Sequence, residues 1–203
     1  MPVDPTTSNV ELYWIPLGAG ASVVRTNGVL YEALAAAIGR RPRLDLYHSA
    51  LELVLPEGRF TVEMTPVPDG DGASRGVVAE GPVGIRAAGR FHLFRYEVRR
   101  WREGVVPDLQ YALVPPIRVS DDPATVRAVF NALPEVPRLV WGRDESHAGE
   151  MWSCNSITAW ALGRAGVDPA TIPLPRRGRA PGWDAGIAVA ALHPEGDLVP
   201  RSP

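Results

Sequence analysis

The sequence predicts an α+β domain, and three observations carry that expectation. Segments 10–16, 44–55 and 60–67 are rich in β-formers, and Pro56-Glu57-Gly58-Arg59 joins the last two as the turn of a hairpin. Segments 27–38, 120–133 and 153–166 carry helical spacing or helix-start signals. The composition is that of an ordinary globular chain, 45% hydrophobic and 22% charged over 203 residues, which is enough for one domain with a sizeable core.

Residues 10–16 alternate and read as a first strand. Gly18-Ala19-Gly20-Ala21 follows; it lacks the lysine and the spacing of a phosphate-binding loop and reads as a turn. Asn27 caps a helix to about Ile38, with Leu30, Leu34, Ala37 and Ile38 on one face. After the hairpin, 70–76 is a loop, and 77–79 and 91–98 are further strands. In the second of these, Phe91 and Leu93 share one face and Phe94, Tyr96 and Val98 the other, the pattern of a strand covered on both sides. Ser120-Asp121-Asp122-Pro123 combines a cap, acidic first-turn residues and an early proline, so a helix runs from there to about Leu133. A loop over 134–149 leads to the helix that carries Cys154, which Ser153 or a close neighbour caps and Gly166 ends. From about 167 the chain is rich in Pro, Arg and Gly. It reads as a C-terminal extension of a single domain over 1–203, with part of 182–192 packing back on the body.

Composition also excludes function classes. The formal net charge is −2 and the arginine clusters are short, as in Arg99-Arg100 and Arg176-Arg177, so there is no concentrated positive face for a nucleic acid. One cysteine excludes an intrachain disulfide and a multi-cysteine metal site, and no residue pattern indicates a metal or an organic cofactor. The first ten residues have neither a basic nor an apolar signal region, and the apolar runs near 34–38 and 186–192 are too short to span a bilayer. A cytoplasmic protein without a membrane span is the expectation.

The chemistry-bearing candidate is Cys154. Trp152-Ser153-Cys154-Asn155-Ser156 puts the thiol in the first turn of a helix, where free N–H groups stabilise a thiolate and a nearby histidine can take its proton. A lone cysteine more often acts as a small buried apolar residue, so the histidines decide the matter. His48 lies within a strand; His147, seven residues before the thiol in a polar loop, is the competing base; His92 and His193 have structural or exposed settings.

Tyr47-His48-Ser49-Ala50-Leu51-Glu52-Leu53, a turn, and Phe60-Thr61-Val62-Glu63-Met64 resemble the His-bearing hairpin of the NlpC/P60 superfamily of papain-like enzymes. The stretch from Trp152 to Leu162, WSCNSITAWAL, resembles its Cys-bearing helix. Histidine first and cysteine about a hundred residues later is similar to the circularly permuted branch, which includes lecithin:retinol acyltransferase-like proteins. The resemblance covers residues 40–68 and 149–166. It implies a papain-like core in permuted order, with an antiparallel sheet packed against the Cys-bearing helix. It further implies Cys154 as nucleophile, His48 as base, and Glu63 as the third group that orients the imidazole. A hairpin turning about Glu57-Gly58 puts Val67 opposite His48 and Thr65 at the nearer diagonal, so Thr65 stands beside Glu63 as a candidate.

Two functions follow as expectations. One is a cysteine-dependent hydrolase or acyltransferase that acts on an amide, ester or thioester through an acyl-enzyme, with a peptide, isopeptide or acyl-group substrate. The other is a non-catalytic papain-like module that binds a peptide or protein in a cleft made by Trp141, Trp152, Trp160 and Trp183.

Overall fold

The computed structural model describes residues 8–17, 44–67 and 76–192. Six strands form one antiparallel sheet: β1 (Asn9–Pro16), β2 (Asp45–Leu55), β3 (Gly58–Pro66), β4 (Val77–Pro82), β5 (Arg95–Arg102) and β6 (Ile117–Ser120). Their order across the sheet is β4-β5-β3-β2-β1-β6, and the two-residue β7 (Gly178–Arg179) adds to β2 in parallel. Three α-helices follow the sheet in sequence: α1 (Pro123–Ala132), α2 (Cys154–Arg164) and α3 (Trp183–Leu192). The α+β expectation holds at this level.

Side-chain alternation divides the sheet into two faces. Leu12 and Trp14 of β1, Leu51 and Leu53 of β2, Val62 of β3 and Val98 of β5 share a core with Val126 and Val129 of α1, Ile157 and Trp160 of α2, and Val189 of α3. This is the front face. On the back face Ile15 and Ala50 form a smaller cluster with Val106, Leu109 and Ala112 from the β5–β6 connection. The helices start as their sequences require. Asp122 accepts a hydrogen bond from the Thr125 N–H at 2.8 Å and Pro123 occupies the first turn of α1. Ser153 and Ser156 form a reciprocal capping box at the start of α2.

Two expectations change. The strand expected over 91–98 begins only at Arg95; 91–94 coils into a 3-10 turn, and Phe91, Leu93 and Phe94 are exposed instead of covered. Both neighbours of β5 end there, Pro66 opposite Tyr96 and Pro82 opposite Arg95; the Val67 N–H still reaches the Arg95 carbonyl and the Val83 N–H the Phe94 carbonyl, and the residues before Arg95 close their own 3-10 turns instead of a ladder. The hairpin turns at Pro56-Glu57, with Leu55 opposite Gly58, so it is tighter than a turn about Glu57-Gly58. Within the Pro/Arg/Gly-rich stretch from 167, residues 182–192 pack back on the body as expected: Trp183 and Ala185 are buried and α3 packs on α2. Gly18–Ala21, the helix expected over 27–38, residues 70–75 of the loop expected over 70–76, and His193 lie outside the described residues.

Candidate functional site

The site is organised by one edge of β2. Register pairs join β2 to β1 from Val54 to Tyr47, but join it to β3 only from Leu55 to Leu51. Backbone groups of the odd-numbered residues of β2 point away from β1. Beyond Leu51 they need other partners, because a buried backbone N–H or C=O left unpaired is costly. At the far end the Asp45 N–H donates to the Arg177 carbonyl, next to β7. Between β3 and β7 the start of α2 fills the gap. Asn155 Nδ2 donates to the Tyr47 carbonyl at 3.0 Å, and the Ser49 N–H is directed at the Cys154 thiol. The Ser49 hydroxyl donates to Thr158 Oγ1 at 2.9 Å, one turn further along α2.

A dense set of hydrogen bonds holds this tip. Asn155 Nδ2 also reaches the Pro181 carbonyl at 3.0 Å, and the Ser153 hydroxyl donates to the same oxygen at 2.8 Å. The Ser156 hydroxyl donates to the Gly182 carbonyl at 2.7 Å while its oxygen accepts the Ser153 N–H at 2.9 Å. Gly182 has φ +90°, a conformation that glycine adopts without strain. The N–H of Gly182 donates to Glu150, which also pairs with Arg179. Asn155 Oδ1 is buried with no partner.

Burial pushes the Cys154 thiol up to about 11; the N–H groups of Ser49, Asn155 and Cys154 and the Ser153 hydroxyl act in the opposite sense and do not overcome it. The resting state near neutral pH is therefore the thiol. Since Ser49 faces α2, alternation puts the His48 side chain on the back face, beside the Ile15–Ala50 cluster. Burial lowers the pKa of His48, and the Asp108 carboxylate pulls it the other way. Asp108 lies in the 3-10 turn Pro107–Tyr111, whose Leu109 packs on that same cluster.

Glu63 shares the back face and is bound by Arg99 at 3.0 Å, and Arg99 also binds Glu97 at 2.9 Å. Burial raises the pKa of Glu63, Arg99 opposes this, and Asp108 and Glu97 add to it. Thr65 is half-buried on the same face. Continued past Leu51–Val62, the register would bring Thr65 opposite His48, where the wider turn had implied Val67. His147 lies exposed in the loop before α2 with φ 56°. It is the His48–Ser49 peptide that meets the thiol.

The structure thus brings Cys154 to the backbone of His48, and groups His48 electrostatically with Asp108 and Glu63 on the other face. Trp152, Trp160 and Trp183 are core residues, at 1%, 1% and 4% exposure, so they do not line the cleft expected of them; Trp141 is half-buried against the Tyr96 ring. Sequence reasoning missed Ser49, Asn155 and Asp108. The first two adjoin the key residues in the chain, whereas nothing local marks Asp108. Among the described residues no group of three or more His, Cys, Asp or Glu has an arrangement that could hold a metal ion, and no helix is long and apolar enough to cross a membrane. No family model, curated protein or solved structure matches this chain.

Proposed function

We propose that this chain is a cysteine-dependent hydrolase or acyltransferase with a papain-like core in permuted order, in which Cys154 is the nucleophile and His48 the base. The observation that carries the reading is the contact between the α2 tip and the His48–Ser49 peptide, at the stretch of β2 that β3 leaves unpaired. Among the described residues no strand pairs with β2 between β7 and β3 on that side, and the reading has the imidazole pass around its own backbone to reach the sulfur. His48 takes the thiol proton as sulfur attacks the substrate carbonyl carbon, and the leaving group departs with that proton. Water or an acceptor hydroxyl or amine then resolves the thioester. The N–H groups around the sulfur supply donors for the developing oxyanion. Asp108 favours the imidazolium that forms, a role that the family resemblance gives to Glu63. Peptide, isopeptide and acyl-group substrates all suit this chemistry, and an unpaired thiol suits a reducing compartment such as the cytoplasm.

The raised thiol pKa favours a second reading, a non-catalytic module in which Cys154 only completes the edge of β2. Iodoacetamide alkylation followed against pH separates the two. With His48 as base, the rate has a limb near neutral pH that His48→Ala removes, leaving only the rise toward about 11. A wild-type profile with the high-pH rise alone sinks the enzyme reading and leaves the module.

A further inference from the structure

The loop between β4 and β5 has a surface that the site does not use. Ile85, Phe91, Leu93 and Phe94 are 59%, 52%, 82% and 45% exposed, on a segment of two successive 3-10 turns. Arg86, Arg90, His92 and Arg95 are interleaved with them, and the sequence holds no Asp or Glu from 81 to 96, in a chain of net charge −2. Arg143 adds a guanidinium at the base of the loop, donating to the Gly84 carbonyl at 2.7 Å. Glu145 offsets Arg86 and Glu80 offsets Arg95. Arg90 lies over the Phe91 ring, 4.7 Å from its centroid, so charge and apolar surface stand together.

We propose that this loop docks the protein on an anionic lipid surface, with the apolar side chains entering the interface and the arginines at headgroup phosphates. Large apolar side chains interleaved with arginine fit the boundary between acyl chains and charged headgroups. The loop's own turns satisfy the N–H groups of Ile85, Ala88, Phe91 and Phe94, so it offers no strand edge to a peptide there. A second copy seated symmetrically on the same surface would set arginine against arginine. The loop is also tied to the candidate site: Val83 bridges to Trp141, and Trp141 to Trp152, two residues before Cys154. Docking here does not depend on Cys154 being a nucleophile.

The test is co-sedimentation of the full chain with vesicles of phosphatidylcholine alone and of an equal mixture with phosphatidylglycerol. Binding is expected to the mixed vesicles, to weaken with salt, and to persist in Cys154→Ala. Leu93→Glu should weaken it roughly tenfold or more, since burial of one leucine is worth at least that factor. Arg90→Ala should weaken it about fivefold. Both positions are exposed, and an unchanged circular dichroism spectrum with an unchanged alkylation profile establishes that the variants fold. Absence of binding to the mixed vesicles, or binding by both variants equal to that of the wild type, overturns the proposal. So does self-association that Leu93→Glu abolishes, which would make the loop an interface between copies.

Discussion

At Cys154 two influences oppose each other. The helix tip and the Ser49 N–H favour a thiolate, and burial favours the thiol by more. Asn155, the next residue, does structural work for the same site: its amide serves two carbonyls, Tyr47 and Pro181, that belong to different elements. Removing that donor leaves the Tyr47 carbonyl without it, while the Pro181 carbonyl keeps the Ser153 hydroxyl, so Asn155→Ala should cost about 1–3 kcal/mol in urea unfolding. Asn155→Asp should cost more, because an ionised carboxylate cannot donate and would face both carbonyl oxygens. An Asp variant more stable than the Ala variant would show that the amide is not the clamp described here. His48 and Glu63 were legible as polar residues on a hairpin. Asp108 was not, because its nearness to His48 comes from the fold of the β5–β6 connection.

At the scale of elements, the position of the thiol depends on how closely α3 lies against α2. A β-carbon at Gly186 would stand 2.2 Å from the Ser156 carbonyl oxygen, which is backbone and has nowhere to move. At Gly163 it would meet the Ala190 methyl at 2.9 Å, a milder clash. Alanine gains about 1 kcal/mol of helix propensity at either position. Gly163→Ala should therefore be nearly neutral. Gly186→Ala should destabilise by about 1–3 kcal/mol and speed Cys154 alkylation as the tip loosens. Equal unfolding midpoints for the two variants would refute this account. The helix starts at 120–123 and 153 were readable because capping is local. The shift of β5 from 91 to 95 was not, because it depends on where β3 and β4 stop pairing, and nothing within 91–94 marks that.

For the whole molecule, the sheet separates an apolar front from a back face that buries charge, with Arg99 held between Glu63 and Glu97. Groups buried there make stability depend on pH. Burial holds His48 below its ordinary value, so the unfolded chain binds the proton more readily. Its contribution is complete above about pH 6.5, the unfolded value, and is lost as pH falls through the depressed folded value. Glu63 has the opposite sign: its pKa is raised, so its protonated form favours the folded state and that contribution declines as pH rises through the raised value. His48→Gln should flatten the fall of stability with acid below about pH 6.5, and Glu63→Gln should remove the opposing trend. Urea midpoints measured across that range would decide it, and a His48→Gln profile parallel to wild type would contradict the assignment.

By itself the sequence determined what is local. It specified the hairpin, the capped starts of α1 and α2, and a thiol at a helix tip, because turn chemistry, capping and alternation act over a few neighbouring residues. Only the tertiary structure decided where β2 parts from β3, that the α2 tip fills the opening, and that Asn155 and the thiol serve its unpaired backbone. It also decided that Trp152, Trp160 and Trp183 are core and that Phe91 and Leu93 face outward. These outcomes depend on pairing and burial among residues far apart in the chain. A one-residue step along a strand is enough to send a side chain to the other face, as it does for Ser49 and His48.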